Sequence, residues 1–268
     1  MGVRNAKLRA HKVRAGRLGG LARIALHGNP GTALGRKLGG VRSLMTHQRR
    51  NTGFKMLKRI LYPSRSPDLA ELLGIIAGDG HVDTYQTTVT TNAKTDFKHA
   101  RHVAGLFKKL FHVDATIKFK NATNACVIVV SSRAICDFLV RNGMVRGNKA
   151  KLQLGVPSWI LSQKAYRVAF LRGLFDTDGC VYTDVHKVNN KTYKNIGMAF
   201  ANHSPPLLGY FKRTLESIGA HPTQSTKYRV FLRREREVRR YFEVIGSSNP
   251  KHAQKVAHYF LSRRGGVG

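Results

Sequence analysis

Two acidic residues occupy the last turn of a predicted helix, a place where a carboxylate is normally disfavoured. Asp79 lies at the end of the stretch Leu72–Gly80 (LLGIIAGDG), and Asp178 lies at the end of Leu171–Gly179 (LRGLFDTDG). Apolar residues at helical spacing predict a helix in each stretch, and the following glycine suits the position at which a helix stops. Because the C-terminal end of a helix carries a partial negative charge, an acid kept there indicates a bound cation.

The two stretches share one design and indicate an internal duplication. Small residues stand four apart at matching positions of both copies: Gly74 and Gly78 in the first, Gly173 and Thr177 in the second. Residues of this size let a second helix backbone come very close. The two acids are 99 residues apart, and two copies separated by about the length of a domain indicate a duplicated module.

Packing of the two predicted helices through their small residues would place Asp79 and Asp178 side by side. Carboxylates in that arrangement repel and raise each other's pKa unless a cation lies between them. Hard oxygen ligands suit Mg²⁺, which takes its remaining ligands from water and phosphate. We therefore predict a Mg²⁺ site at Asp79 and Asp178 with their neighbours Gly78 and Thr177, as metal-assisted phosphodiester hydrolysis requires.

Both stretches resemble the nine-position motif of the LAGLIDADG homing endonucleases, and the resemblance extends over about residues 66–262. The first copy departs at the sixth position, where Ala77 replaces the usual acid, whereas the second copy keeps Asp176. In the family that acid is not the catalytic one. The resemblance implies a monomeric, Mg²⁺-dependent endonuclease that cuts both strands of a long, nearly asymmetric DNA site and leaves 3′ extensions. It also implies a gene that lies within a mobile intron or stands free.

The resemblance further implies an α+β fold built from two pseudo-symmetric αββαββα modules, each with a saddle-shaped antiparallel sheet. Residues 66–156 would form the first module and residues 157–268 the second, after a basic N-terminal arm at residues 1–65. Each sheet would lie along the DNA major groove, with one scissile phosphate per strand beneath the seam between the modules.

Hydrophobic periodicity and turn residues predict the same order of elements in both modules. The first motif helix begins after Ser66 as its N-cap, with Pro67 in the first turn. The other elements predicted for the first module are a hairpin at 81–91, helices at 96–111 and 133–141, and strands at 115–119 and 125–131. Those predicted for the second module are helices at 159–175, 206–218, 238–245 and 252–261, and strands at 180–187, 195–202, 223–226 and 228–232.

The net charge of +33 predicts a polyanionic partner, and nucleic acid is the first choice. A basic protein of the membrane surface is the alternative, although the chain contains no run of about 18 apolar residues that would span a bilayer. The basic N-terminus lacks the apolar core of a signal peptide. We therefore expect an intracellular protein without a membrane partner, located in the cytoplasm at the nucleoid, or in an organelle if the source is eukaryotic.

The N-terminal arm concentrates this charge. Residues 1–66 contain 16 of the 47 Lys and Arg residues and none of the 14 Asp and Glu residues. An imperfect repeat, GRLGGLAR at 16–23 and GRKLGGVR at 35–42, includes the candidate DNA contacts Arg17, Arg36 and Lys37. The glycine pairs and the Asn29–Gly31 turn are expected to break helices. The arm is either a DNA-contacting helical module or a disordered basic tail with non-specific phosphate affinity.

Polar and basic groups near the seam are expected to orient water and stabilise the transition state. In the family such groups follow the second strand of each module, and the matching positions are Asn92 and Lys94 in the first and Asn202 and His203 in the second. Lys251, in the turn before the last helix, is a further candidate. Each of the four residues after the second strands can instead belong to a solvated turn, and Lys251 can instead contact a phosphate or have no role.

Base readout is expected from outward-facing strand residues, because Arg, Lys, Gln, Thr and Tyr suit phosphate and base-edge contacts. A one-residue error in strand register would exchange the two faces for the whole set. The candidates are Tyr85, Gln86, Thr88, Thr90, Lys118, Lys120, Tyr182, Lys187, Lys191, Tyr193, Lys194, Lys227, Arg229 and Arg233.

Two other functions compete with the nuclease. A protein of this fold can act as an intron RNA maturase, with intron RNA as its partner, or as a DNA-binding regulator that does not cleave. A basic ribosome-associated protein is a third interpretation, and it would bind nucleic acid without sequence preference and with full salt sensitivity.

Overall fold

The computed structural model describes residues 2–29, 31–50, 60–120 and 123–264, with side chains from residue 10 to residue 262 within these ranges. It divides the chain into two compact units, residues 1–56 and residues 57–268. No helix within the described ranges is long and apolar enough to cross a membrane.

The first unit contains two helices, α1 (Gly2–His27) and α2 (Ala33–Arg50). Gly28 follows α1 with φ 76°, a left-handed conformation that glycine adopts readily. A Cβ atom on Gly35 would meet the backbone of Asn29, so the turn between the helices packs against the start of α2. The prediction that the glycine pairs at 19–20 and 39–40 break helices is wrong, because both pairs lie inside these helices.

The second unit contains the two modules. The first module has α3 (Pro67–Asp79), β1 (Gly80–Val82), β2 (Gln86–Asn92), α4 (Phe97–Phe111), β3 (Thr116–Lys120), β4 (Ala125–Ser131) and α5 (Arg133–Arg141). The second has α6 (Ser158–Leu161), α7 (Lys164–Asp178), β5 (Gly179–Val188), β6 (Lys191–Ala201), α8 (Pro205–Ser217), β7 (Thr223–Thr226), β8 (Arg229–Leu232), α9 (Glu235–Val244) and α10 (Pro250–Arg264).

Each module folds around one antiparallel sheet. The described residues form two four-stranded sheets, with strand orders β1-β2-β4-β3 and β5-β6-β8-β7. The helices cover one face of each sheet, where alternating strand residues such as Val89, Ile128, Val181 and Met198 are buried. This arrangement confirms the predicted α+β fold with two αββαββα modules.

The motif helices α3 and α7 lie at the centre of the second unit. The Ser66 hydroxyl accepts a hydrogen bond from the Leu69 amide at 3.3 Å, which confirms the predicted N-cap of α3. A Cβ atom on Gly74 would lie 2.1 Å from the Phe170 carbonyl oxygen, and one on Gly173 would lie 2.3 Å from the Glu71 carbonyl oxygen. The two helices therefore pack backbone to backbone through the small residues of the duplication.

A buried ion pair fixes the same two helices side by side. Glu71 of α3 accepts hydrogen bonds from Arg172 of α7 at 2.5 and 3.0 Å, and it lies 2.7 Å from the imidazole of His102. Burial raises the pKa of Glu71, but the hydrogen bonds with His102 and Arg172 outweigh that effect and hold it at about 2. Glu71 is therefore ionised, and its charge is compensated across the helix interface.

Two elements of the second module differ from the sequence-based prediction. The single helix expected at 159–175 is two helices, because the chain is not helical at Ser162 and Gln163 between α6 and α7. Strands β5 and β6 extend towards each other until only Asn189 and Asn190 separate them. Both residues have positive φ, 49° and 63°, which is the geometry of a two-residue hairpin turn.

Candidate functional site

The motif acids lie at the seam where α3 and α7 end together. A Cβ atom on Gly78 would lie 1.9 Å from the Thr177 hydroxyl oxygen and 3.2 Å from an Asp178 carboxylate oxygen. The last turn of α3 therefore contacts the last turn of α7, and Asp79 and Asp178 end the two helices at this contact. The structure thus brings together the two acids that the sequence selects as a pair.

The surroundings of both acids disfavour their ionised form. Burial raises the pKa of Asp178 to about 7, and the negative charge of Asp79 adds to this increase. Asp79 has an exposed surface, yet the protein atoms around its carboxylate raise its pKa by removing water, and the charge of Asp96 raises it further. A cation bound at the seam would relieve the repulsion between these acids.

Lys149, which the sequence-based prediction missed, lies at the end of the first motif helix. The Lys149 ammonium group donates hydrogen bonds to the Ile76 carbonyl at 2.9 Å and to the Gly78 carbonyl. Burial lowers the pKa of Lys149, while the charges of Asp178 and Asp79 raise it. Lys149 therefore places a positive charge that acts on both acids.

The duplicated sequence contains a signal for this lysine. Lys149 follows Asp79 by 70 residues, Lys251 follows Asp178 by 73 residues, and an asparagine lies shortly before each lysine (Asn148 and Asn249). Lys149 is therefore the first-module counterpart of Lys251. Only Lys251 was among the candidates predicted from the sequence.

Asn202 and His203 lie at the same seam. The Asn202 amide donates a hydrogen bond to Asp178 at 2.6 Å, and its carbonyl oxygen accepts one from the Ser204 amide at 2.7 Å. The exposed His203 ring contacts the Tyr228 ring at a tilt of 40°, with 4.5 Å between ring centroids. Both residues line a cavity of about 190 Å³ together with Asp178 and Lys149.

The matching residues of the first module adopt a different arrangement. The Asn92 side chain accepts hydrogen bonds from the backbone amides of Lys94 and Thr95 at 2.9 and 3.0 Å and so closes the turn after β2. Lys94 is exposed and lines a depression that also includes Lys251. Asn92 therefore acts as a turn residue, whereas Lys94 faces the second candidate lysine.

Lys251 forms a buried network that the sequence-based prediction also missed. Its ammonium group lies 2.8 and 3.1 Å from the two oxygens of Asp96. The Asn249 amide donates a hydrogen bond to Asp96 at 2.9 Å and a longer one to the Asp176 carbonyl. Asp176 in turn accepts hydrogen bonds from Ser247 and from the Ser248 amide. The sixth motif position of the second copy thus anchors the loop that carries Lys251.

The other predicted metal-site groups have partners within the protein. The Gly78 carbonyl accepts the hydrogen bond from Lys149, and the Thr177 hydroxyl donates to the carbonyls of Gly173 and Leu174 in its own helix. Across the described ranges, no group of three or more His, Cys, Asp or Glu residues is arranged to hold a metal ion. A cation at this seam would therefore take its protein ligands mainly from Asp79 and Asp178.

Sequence comparison supports the identity of the second motif. The family described as LAGLIDADG-like domain matches residues 165–246, which include the second motif and the sheet that follows it. The first module repeats this motif, element order and sheet topology.

Residues 165–246 are thus similar to the LAGLIDADG-like domain family.

Curated relatives contain a similar segment within longer proteins. The replication factor C small subunit of Methanocaldococcus jannaschii is 29% identical over 191 residues, which cover 70% of this chain and 10% of the relative. Ribonucleoside-diphosphate reductase NrdEB subunit alpha of Bacillus subtilis is 32% identical over 139 residues, which cover 47% of this chain and 12% of the relative. The chain thus spans about a tenth of the length of these relatives.

Solved structures of low sequence identity share the fold. A point mutant of I-SmaMI superposes with a TM-score of 0.51 at 11% identity and covers 77% of this chain and 93% of its own. The meganuclease I-SmaMI bound to uncleaveable DNA superposes with a TM-score of 0.50 at 11% identity and covers 76% and 92%. At this identity the likeness establishes the fold of this chain and nothing further.

The first sheet presents most of its predicted readout residues on one face. Paired strand positions place these residues opposite each other on the face away from the helices, where they are exposed or half-buried: Gln86, Thr88, Thr90, Lys118 and Lys120, together with His81. Tyr85 lies in the turn before β2, with the Arg133 guanidinium 5.9 Å from its ring centroid.

The second sheet divides its candidates between two faces. Tyr182, Lys191, Tyr193 and Arg229 lie at strand positions of the face opposite the buried residues Val181 and Met198. Lys187 and Lys194 occupy alternating positions of the other face, so the structure does not place them with the rest. Lys227 lies in the β7–β8 turn, and Arg233 directly follows β8.

The candidate DNA contacts of the N-terminal arm lie on its two helices. Arg17 lies on α1, and Arg36 and Lys37 lie on α2. All three side chains are exposed.

Proposed function

We propose that this protein is a homing endonuclease that cuts both strands of a specific DNA site with a divalent cation held by Asp79 and Asp178. One observation carries the proposal. The duplicated helices deliver both acids to one seam, where loss of water raises the pKa of each and the charge of Asp79 raises that of Asp178 further. Two carboxylates in such a place fit a hard divalent cation, and we propose Mg²⁺.

The reaction consumes one water molecule for each strand. The water oxygen forms a bond to phosphorus, the P–O3′ bond breaks, one proton of the water passes to the 3′ oxygen, and a 5′-phosphate remains. The cation would supply Lewis acidity beside the phosphate. The protein supplies the remaining groups, because charges fixed in advance stabilise a transition state without reorganisation.

We assign the chain's own residues to separate tasks. Asn202 orients the Asp178 carboxylate through its 2.6 Å hydrogen bond. Lys149 places a positive charge next to both acids, where a phosphate dianion would develop. His203 lines the cavity beside Asp178, and Lys94 and Lys251 line a second depression; we assign all three to hydrogen bonds with phosphate oxygens.

The two sheets would provide the DNA contacts. Exposed polar and basic residues follow the outer face of each sheet, and such side chains reach both phosphates and base edges. We propose that a single chain binds duplex DNA along both sheets, inside the cell and at the nucleoid or in an organelle. Similar segments occur in a replication factor and a reductase, which supports a mobile module, and we propose a mobile intron as its setting.

The decisive experiment recovers a target first and then tests cleavage. Duplexes that the protein cuts are selected from a randomised DNA pool with Mg²⁺ present, and the cut products are sequenced. We expect one extended, nearly asymmetric site, and we expect Asp79→Asn and Asp178→Asn to bind it without cutting. If no duplex is enriched by cutting, the nuclease assignment is wrong.

The same proteins also separate the alternatives. Stimulation of intron splicing that survives both substitutions would identify an RNA maturase, and specific DNA binding without any cutting would identify a regulator. Binding without sequence preference that disappears in high salt would indicate a ribosome-associated protein.

A further inference from the structure

The two lysines at matching positions of the modules have different partners. Lys149 donates to the carbonyls of Ile76 and Gly78, both of which are uncharged. Lys251 lies within 3.1 Å of both oxygens of Asp96 and forms an ion pair with this carboxylate. The positive charge of Lys251 is therefore compensated by a carboxylate, whereas Lys149 has no such ion-pair partner among its hydrogen-bond acceptors.

The structure holds this ion pair firmly in place. The Asp96 side chain is 7% exposed, and it accepts further hydrogen bonds from the Asn249 amide and the Thr95 hydroxyl at 2.9 Å each. Lys251 would have to leave a buried carboxylate before it could turn fully to a phosphate, and leaving a buried charge unpaired is strongly unfavourable.

The second module contains no counterpart of this acid. Alignment of Asn92 with Asn202 places Pro206 at the position of Asp96. The surroundings of the two motif acids differ in the same way. Asp178 accepts a hydrogen bond from the neutral amide of Asn202. Asp79 instead lies near the negative charge of Asp96. The pseudo-symmetric seam therefore has one side with a lysine held by carbonyl oxygens and one side with a lysine held by the carboxylate of Asp96.

We propose that the enzyme cuts the two DNA strands in a fixed order, with the strand whose scissile phosphate lies beside Lys149 cut first. This inference rests on the proposed nuclease function. An ammonium group that is held by carbonyl oxygens rather than by a carboxylate in a direct ion pair stabilises the charge that develops on the phosphate more strongly. The strand beside Lys251 is cut more slowly because Asp96 competes with its phosphate for the same ammonium group.

Cleavage of a supercoiled plasmid that carries the selected site tests the order directly. We expect a nicked intermediate that forms roughly 10-fold faster than it disappears, with end-labelled duplexes showing one strand cut first. Asp96→Asn keeps an acceptor for Asn249 but removes the charge, so the second cut should accelerate and the ratio should approach one. Asp114→Asn removes a carboxylate from the exposed ion pair with Lys108 and should leave the ratio unchanged.

A binding measurement without divalent ions tests the same asymmetry in the absence of catalysis. A methylphosphonate replaces one scissile phosphate at a time, and affinities are compared in the presence of a chelator. We expect the neutral group beside Lys149 to weaken binding several-fold more than the neutral group beside Lys251. This comparison uses the wild-type chain, so it decides the matter even if Asp96→Asn fails to fold.

The outcomes of these experiments test the fixed cutting order separately from the proposed nuclease function. Absence of cutting on every duplex overturns the nuclease, while unequal methylphosphonate effects would still support the asymmetry of the lysines. Cutting of both strands at equal rates, or a slower second cut in Asp96→Asn, overturns the fixed order and leaves the nuclease intact.

Discussion

Asp79 and Asp178 occupy the same motif position but differ in their surroundings. Asp178 is half-buried and accepts a hydrogen bond from Asn202, whereas Asp79 is more exposed and faces Asp96. The duplication therefore supplies two equivalent backbone positions, and the residues contributed by later loops make the two acids unequal.

Asn202 provides a prediction for a positioning residue. Asn202→Ala removes the amide that holds the Asp178 carboxylate, so we expect the cleavage rate on the selected duplex to fall by about 10-fold or more. Single-turnover kinetics measure this change, while affinity for the duplex and thermal unfolding serve as controls. An unchanged rate would show that the orientation of Asp178 does not depend on this hydrogen bond.

The residues of the seam differ in how readily they can be predicted from the sequence. The two acids can be predicted because their signal is local: a helix pattern, an acid in the last turn and a glycine after it. The role of Lys149 depends on a loop that returns to the end of α3, and Lys251 contacts Asp96 across 155 positions of the chain. Contacts over such separations are set by the tertiary fold and leave no local pattern.

At the scale of elements, the α3–α7 contact is the feature on which the seam depends. Gly74→Ala would place a Cβ atom 2.1 Å from the Phe170 carbonyl oxygen. The helices would have to separate, and overpacking of this kind destabilises a protein by about 1–3 kcal/mol or more. Denaturant unfolding measures the decrease in the free energy of unfolding.

Gly105→Ala is the matched control for this change. Gly105 lies in α4, and a Cβ atom there would meet nothing within 4 Å. Replacement of a helical glycine by alanine should then stabilise the protein by about 0.5–1 kcal/mol. Equal effects of the two substitutions would contradict the close approach of α3 and α7.

The helix α4 also contains a buried histidine that makes stability depend on pH. His99 is 1% exposed, and neither of its ring nitrogens has a hydrogen-bond partner among the described residues. Burial lowers its pKa from 6.5 to about 4, assisted by His102 and Lys251 and opposed by Asp96 and Glu71.

The sign of the effect follows from proton binding. Between pH 6.5 and pH 4 the unfolded chain binds a proton at His99 that the folded chain does not, so stability falls as the pH drops below about 6.5. At pH 5 the decrease in stability from this residue is about 2 kcal/mol. His99→Met should reduce the pH dependence of the free energy of unfolding, and an unchanged slope would contradict this assignment.

Most elements follow from hydrophobic periodicity, and the exceptions have physical causes. The helix at 133–141 and the strands at 125–131 and 223–226 have the predicted bounds. The β5–β6 hairpin was predicted too short, because consecutive asparagines can adopt the left-handed conformation of a tight turn. The glycine pairs of the arm stay helical because each residue carries only a modest penalty within a long helix.

At the scale of the whole molecule, charge is unevenly distributed. The first 66 residues contain no acid, and the structure forms two helices there. Simultaneous replacement of Arg17, Arg36 and Lys37 by Gln should lower the salt dependence of DNA affinity. The expected decrease in the log–log slope is about 0.9 for each phosphate that the variant no longer neutralises.

Titration of the duplex at several salt concentrations measures this slope. The matched control replaces the exposed residues Lys164, Arg236 and Arg240, which lie on helices of the second unit outside the predicted DNA surface. The same change of slope in both triple variants would show that the arm contributes only net charge.

The central claim is that the two motif acids act together at one seam to cut DNA. The most direct test is the rate of Mg²⁺-dependent cleavage of the selected duplex by Asp79→Asn, Asp178→Asn and the double variant. Groups that act as a unit have non-additive effects, so we predict that all three variants lose cutting of both strands to the same extent while binding persists. Wild-type cleavage by either single variant would contradict the claim.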